Sequence, residues 1–107
     1  MITYLRNSKG DAVCYIDKTD NSIVFLDGRV LGFIDRDDNE AWTSAGVYLG
    51  IYYEDTSTIL RHKHKLPKPN VPARRPIKRT AVARPVRVIP ILPLLNTINV
   101  LDKYSKI

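Results

Sequence analysis

Three glycines, Gly10, Gly28 and Gly46, stand eighteen residues apart, and each opens a near-copy of one run: "GDAVCYID", "GRVLGFID" and "GVYLGIYY". A period of this length holds one β-hairpin and little else. A single short hairpin cannot bury a face alone, so the copies must pack on one another.

Aligned on their glycines, the units place Val13, Leu31 and Leu49 at one position and Tyr15, Phe33 and Ile51 two residues later, an interval that puts both sets on one strand face. The other face then carries Ala12, Val30 and Tyr48, next Cys14, Gly32 and Gly50, and last Ile16, Ile34 and Tyr52. Both faces are largely apolar, as expected of strands buried on two sides or gathered around a centre. The small set Cys14, Gly32 and Gly50 would let neighbouring backbones approach closely. Ahead of the glycines, Leu5, Ile23 and Ala41 align, as do Arg6, Val24 and Trp42.

Asp27-Gly28 predicts a two-residue hairpin turn with positive φ, and Lys9-Gly10 and Ala45-Gly46 are weaker versions of it. Between hairpins come "DKTDN" at 17–21, "DRDDN" at 35–39 and "EDTST" at 54–58, whose Asp and Asn side chains suit reversals by bonding the local backbone. Continuing the period puts Ile59 and Leu60 at the positions of Ile23 and Val24. It then fails, with His64 where the glycine is due and Pro67 at an apolar position. The expected fold is all-β: a pseudo-symmetric repeat of short β-hairpins with an 18-residue period, three clear units and a partial fourth, followed by an extended Pro/Arg-rich C-terminal tail.

The three units, followed by a tail containing "ARPVRVIP", resemble the 4-fold beta flower family of small bacterial proteins. The resemblance covers residues 2–66 for the repeats, and the tail only in composition and placement. It implies four β units about a pseudo-fourfold axis and carries over no activity or functional residue. The broken fourth unit departs from that pattern.

Charge and proline divide the chain near residue 60. Residues 1–59 hold five basic and ten acidic side chains, net −5, whereas residues 60–107 hold twelve basic ones and the single acid Asp102, net +11. All five glycines precede this boundary and all seven prolines follow it. The reading is a hairpin-repeat domain over 1–66 and a basic proline-rich tail over 67–107.

Prolines from Pro67 to Pro93 forbid a helix there and favour extended or polyproline-II backbone. The residues 94–101 suit either a short strand or one or two helical turns. The apolar part, 86–101, is expected to dock, because Val86, Val88, Ile89, Ile91 and Leu92 would otherwise stay in water. Burying five such side chains is worth on the order of 8 to 15 kcal/mol before chain-ordering entropy is subtracted.

Several chemistries can be weighed against simpler roles. Arg74, Arg75, Lys78, Arg79, Arg84 and Arg87 could neutralise phosphates, but no aromatic residue lies between Tyr53 and Tyr104 to stack bases, so any nucleic-acid binding would be of low specificity. "PNVP" at 69–72 and "PILP" at 90–93 satisfy the minimal spacing of proline-rich ligands. Asp35, Asp37 and Asn39 begin like a calcium loop, yet Glu40 stands where the turn glycine is needed. His62 and His64 have no third ligand near in sequence, and no metal or cofactor is expected.

Cys14 reads as a small packing residue because it shares its repeat position with glycines, and no nucleophile elbow or phosphate loop occurs. The chain is expected not to be an enzyme. A single cysteine, an N-terminus that enters the repeat at once and an apolar run of only eight residues ("VIPILPLL") point to a cytoplasmic protein without a membrane span. The expected function is a binding or structural module mediating protein-protein contact or self-association as a homo-oligomer, with the basic tail as an alternative nucleic-acid arm. Tyr4, Phe25, Trp42, Tyr48, Tyr52 and Tyr53 are the aromatic residues to inspect for a partner surface, with most expected in the core.

Overall fold

The computed structural model of the chain describes residues 3–62, 69–73, 81, 85 and 97–104. Eight strands form one antiparallel sheet in sequence order: β1 (Thr3–Arg6), β2 (Ala12–Asp17), β3 (Ser22–Phe25), β4 (Val30–Asp35), β5 (Glu40–Thr43), β6 (Tyr48–Tyr53), β7 (Thr58–His62) and β8 (Thr97–Asn99). A 3-10 helix, Val100–Tyr104, follows directly. The sheet curls until the Arg6 amide donates to the Ser57 carbonyl at 2.9 Å, joining the end of β1 to the start of β7.

The hairpin loops differ from the two-residue turn predicted at Asp27-Gly28. Gly28 N–H donates to the Phe25 carbonyl at 2.9 Å and Phe25 N–H to the Arg29 carbonyl at 2.7 Å, which closes a three-residue loop. The same two bonds recur at Asn7, Gly10 and Asp11, and at Thr43, Gly46 and Val47. Only the glycine of each loop has positive φ, 96° at Gly28, so Asp27 keeps an ordinary conformation and the glycine alone makes the reversal.

Each hairpin also carries a β-bulge, and this corrects the predicted faces. Leu5 pairs with Cys14 and Arg6 with Ala12, so Val13 is passed over; Leu31 and Leu49 are skipped in the same way. The extra residue shifts the alternation by one. Val13, Leu31 and Leu49 therefore join Cys14, Ile16 and Ile34 in a single buried cluster rather than sharing a face with Tyr15, Phe33 and Ile51. Those three pair across strands with Val24, Trp42 and Leu60 outside that cluster, one pair per unit boundary.

The core is built by repetition. Leu5, Ile23, Ala41 and Ile59, at one repeat position in four successive units, are all 0% exposed. Close approach also follows the small-residue position: a Cβ on Gly32 would fall on the Trp42 carbonyl, and one on Gly50 would lie 2.6 Å from the Leu60 carbonyl. Cys14, the only member of this set with a side chain, is fully buried.

The fourth hairpin is completed from a distance. β7 forms in register beside β6, but its other edge pairs with β8, Leu60 opposite Asn99 and His62 opposite Thr97. Strand and helical turn, the two forms open to residues 94–101, both occur there in succession. Val100 and Leu101 enter the core cluster, Leu101 without exposed surface. Asn99, 2% exposed, donates from Nδ2 to the Arg6 carbonyl at 3.2 Å and accepts the Leu101 amide at 3.0 Å, so its burial leaves no polar atom bare.

Candidate functional site

The strands deliver functional side chains to two ends of the sheet: the hairpin loops around Gly10, Gly28 and Gly46, and the inter-hairpin turns at 17–22, 35–40 and 53–58. Asp side chains shape the turns as capping acceptors. Asp17 Oδ1 accepts the Thr19 amide, Asp20 Oδ1 the Ser22 amide, Asp35 Oδ1 the Asp37 amide and Asp38 Oδ1 the Glu40 amide, all near 3 Å. Asn21, Asn39 and Ser57 close these turns at φ of 60°, 58° and 53°. Asp35 is thus occupied by turn geometry, and among the described residues no cluster of three His, Cys, Asp or Glu is placed to hold a metal.

Among the described residues, the tail meets the hairpin loops as well as β7. At the first hairpin loop, the Asp102 carboxylate accepts the Ser8 amide at 2.8 Å and the Ser8 hydroxyl at 2.9 Å. The Tyr104 ring lies tilted 5.8 Å from the Phe25 ring, whose other neighbour is the Arg29 guanidinium at 5.1 Å. At the third loop, the Val71 amide donates to the Gly46 carbonyl at 2.9 Å. A Cβ on Gly46 would strike the Val71 carbonyl, so this glycine serves the docking of the tail as well as the turn.

Beside that contact lies a cleft of about 530 Å³ between Phe33, Asp35, Asp38, Glu40 and Trp42 on the sheet side and Val71, Pro72 and Ala73 on the tail side. Trp42 is buried and meets Tyr48 edge-on at 5.2 Å. Three carboxylates and an aromatic floor suit cationic, proline-containing chain, which is what the "PNVP" segment and its basic continuation offer. Of the aromatic residues singled out from the sequence, Trp42 and Tyr52 are buried, while Tyr4, Phe25, Tyr48 and Tyr53 are half-buried.

A second cavity, about 240 Å³, opens among the inter-hairpin turns between Thr3, Ile16, Lys18, Asn21, Arg36, Tyr52 and Glu54. Sequence reading passed over these polar residues. Their signal was periodic: Lys18, Arg36 and Glu54 occupy one repeat position, and Ile16, Ile34 and Tyr52 another.

Cys14 has no reactive setting. Burial, with a smaller push from the Asp27 carboxylate, raises its thiol pKa far above the ordinary range and holds it protonated. The possible polyanion contacts Arg74, Arg75, Lys78, Arg79, Arg84 and Arg87, and the docking residues Val86, Val88, Ile89, Ile91 and Leu92, lie outside the described residues, as do His64 and "PILP". Asn99, Leu101 and Asp102, which bind the tail to the first hairpin, were not foreseen as site residues. Among the described residues, no helix is long and apolar enough to cross a membrane.

Compared with known proteins, the chain matches no family model, no curated protein and no solved structure.

Proposed function

We propose that this chain is a non-enzymatic binding module in which a hairpin-repeat sheet and a proline-rich tail together mediate protein-protein contact, self-association included. The observation that carries the reading is the hydrogen bond from Val71 to Gly46 beside the acidic, Trp42-floored cleft. It brings an extended proline-containing segment onto the one unit boundary that combines tryptophan with three carboxylates.

Light scattering of the full chain tests this. A mass of two or more whole multiples of 12.2 kDa that survives high salt supports association through the domain and tail. The second reading, low-specificity binding of nucleic acid by Arg74, Arg75, Lys78 and Arg79, draws on the +11 net charge of residues 60–107. It requires a monomer that carries nucleic acid only at low salt, because releasing counterions from phosphate is less favourable the higher the bulk salt concentration.

A further inference from the structure

The smaller cavity has features that packing and turn formation do not explain. At its repeat position the first two units place isoleucine, Ile16 and Ile34, in the core layer, and the third places Tyr52. Tyr52 is 4% exposed, yet its hydroxyl makes no hydrogen bond among the described residues. No enclosed side-chain oxygen or nitrogen among them lacks a partner, so this hydroxyl opens onto the cavity that Tyr52 lines. Tyrosine thus places a hydroxyl at this opening where the first two units place only hydrocarbon.

The groups around it are also available. Lys18, Asn21 and Glu54 make no side-chain hydrogen bond or ion pair among the described residues, and Arg36 makes only a cation–π contact, 5.8 Å above the Tyr52 ring. Three successive units thus place a lysine, an arginine and a glutamate from one repeat position around a common opening that Ile16 also lines. Two cations and a hydroxyl fit a carboxylate; a single carboxylate beside them fits an ammonium. The cavity, about 240 Å³, has room for a molecule of amino-acid size.

We propose that this opening binds a small zwitterion of amino-acid size, its carboxylate held by Lys18, Arg36 and the Tyr52 hydroxyl and its ammonium by Glu54. The site is separate from the Trp42 cleft and does not depend on the tail reading. Burial raises the Tyr52 pKa, Glu54 adds to the rise and Arg36 opposes it, so the hydroxyl is a donor at neutral pH.

The test titrates the full chain with each standard L-amino acid, and with acetate, methylammonium and inorganic phosphate as partial mimics, following backbone amide shifts by NMR. The expected result is saturable shifts at Asn21, Arg36 and Tyr52 with at least one amino acid. Arg36→Gln should weaken that binding at least tenfold, and Lys9→Gln, at the opposite end of the sheet, should leave it unchanged. Tyr52→Phe keeps the ring and should weaken binding several-fold at unaltered melting temperature. Glu54→Gln should lower affinity for the amino acid and not for acetate. The proposal is overturned if no amino acid saturates at millimolar concentration, or if phosphate and acetate bind as tightly and Glu54→Gln changes nothing, which would leave a plain anion site.

Discussion

The Asp102 carboxylate receives both the amide and the hydroxyl of Ser8, two residues 94 positions apart. The only acid of the basic tail is therefore spent on tying the C-terminus to the first hairpin loop. With Asn99 bonded to the Arg6 carbonyl and Leu101 in the core, this contact ties the C-terminal segment to the first hairpin where the repeat itself has failed.

A double-mutant cycle measures that tie. Ser8→Ala and Asp102→Ala should each destabilise modestly, and the pair should couple by about 1 kcal/mol, since a charge-assisted bond at the surface is weakened by solvent. Additive effects in urea denaturation would mean that the Ser8 hydroxyl and Asp102 do not couple, since Ser8→Ala leaves the amide bond to Asp102 in place.

Leu101→Ala should cost about 3 kcal/mol, because it removes a side chain with no exposed surface from a site walled by strands that cannot collapse inward. Exposed Ile98, on the same segment, should tolerate alanine with little loss. Equal effects at the two positions would show that the segment does not pack as described.

Gly32→Ala should destabilise by about 2 kcal/mol or more, with the new methyl group forced onto the Trp42 carbonyl between paired strands. Cys14→Gly, at the equivalent position, should cost stability through lost packing. Thermal unfolding of both variants distinguishes contact-limited from space-filling members of this repeat position.

The paired substitutions Gly28→Ala and Gly46→Ala isolate tail docking. Both residues have positive φ, 96° and 89°, so both variants suffer similar backbone strain. Only Gly46 also meets Val71, and Gly46→Ala should be the more destabilising and should expose the 69–73 segment to proteolysis. Equal losses and unchanged cleavage would remove the main support for tail recognition at this loop.

Alkaline pH supplies another check. Cys14, whose thiol ordinarily titrates near 9.0, and Tyr52, whose phenol ordinarily titrates near 10.0, both have pKa values raised by folding. The native state holds their protons longer than the unfolded state, so their contribution is complete below those values and declines as pH rises above about 9 and 10 in turn. Stability should fall over that range, less steeply in Tyr52→Phe and in Cys14→Ala. At pH 8, thiol labelling of Cys14 should proceed at the rate of unfolding.

Much of this architecture was legible in the chain. An 18-residue period with glycine at a fixed phase leaves few alternatives to hairpins, and the aspartates of "DKTDN" and "DRDDN" marked turns by the same local bonding that the structure displays. Cys14 declared its small-residue role by sharing a position with Gly32 and Gly50. These features are local or periodic, and local backbone preference repeats wherever its sequence repeats.

The remaining features needed the third dimension. A bulge at Val13, Leu31 and Leu49 is one residue set against none on the neighbouring strand, and strict alternation cannot register it until the partner is known. Closure of the fourth hairpin by Thr97–Asn99 joins segments whose separation follows no period, and it is selected by an open strand edge and a core gap that Leu101 fills. The unpartnered Tyr52 hydroxyl likewise acquires meaning only when curling of the sheet sets it beside Lys18, Arg36 and Glu54. Sequence determined the repeated unit because each unit carries its own turn and strand preferences; tertiary structure decided faces, closure and cavity because those depend on which surfaces remain to be covered once the units have packed.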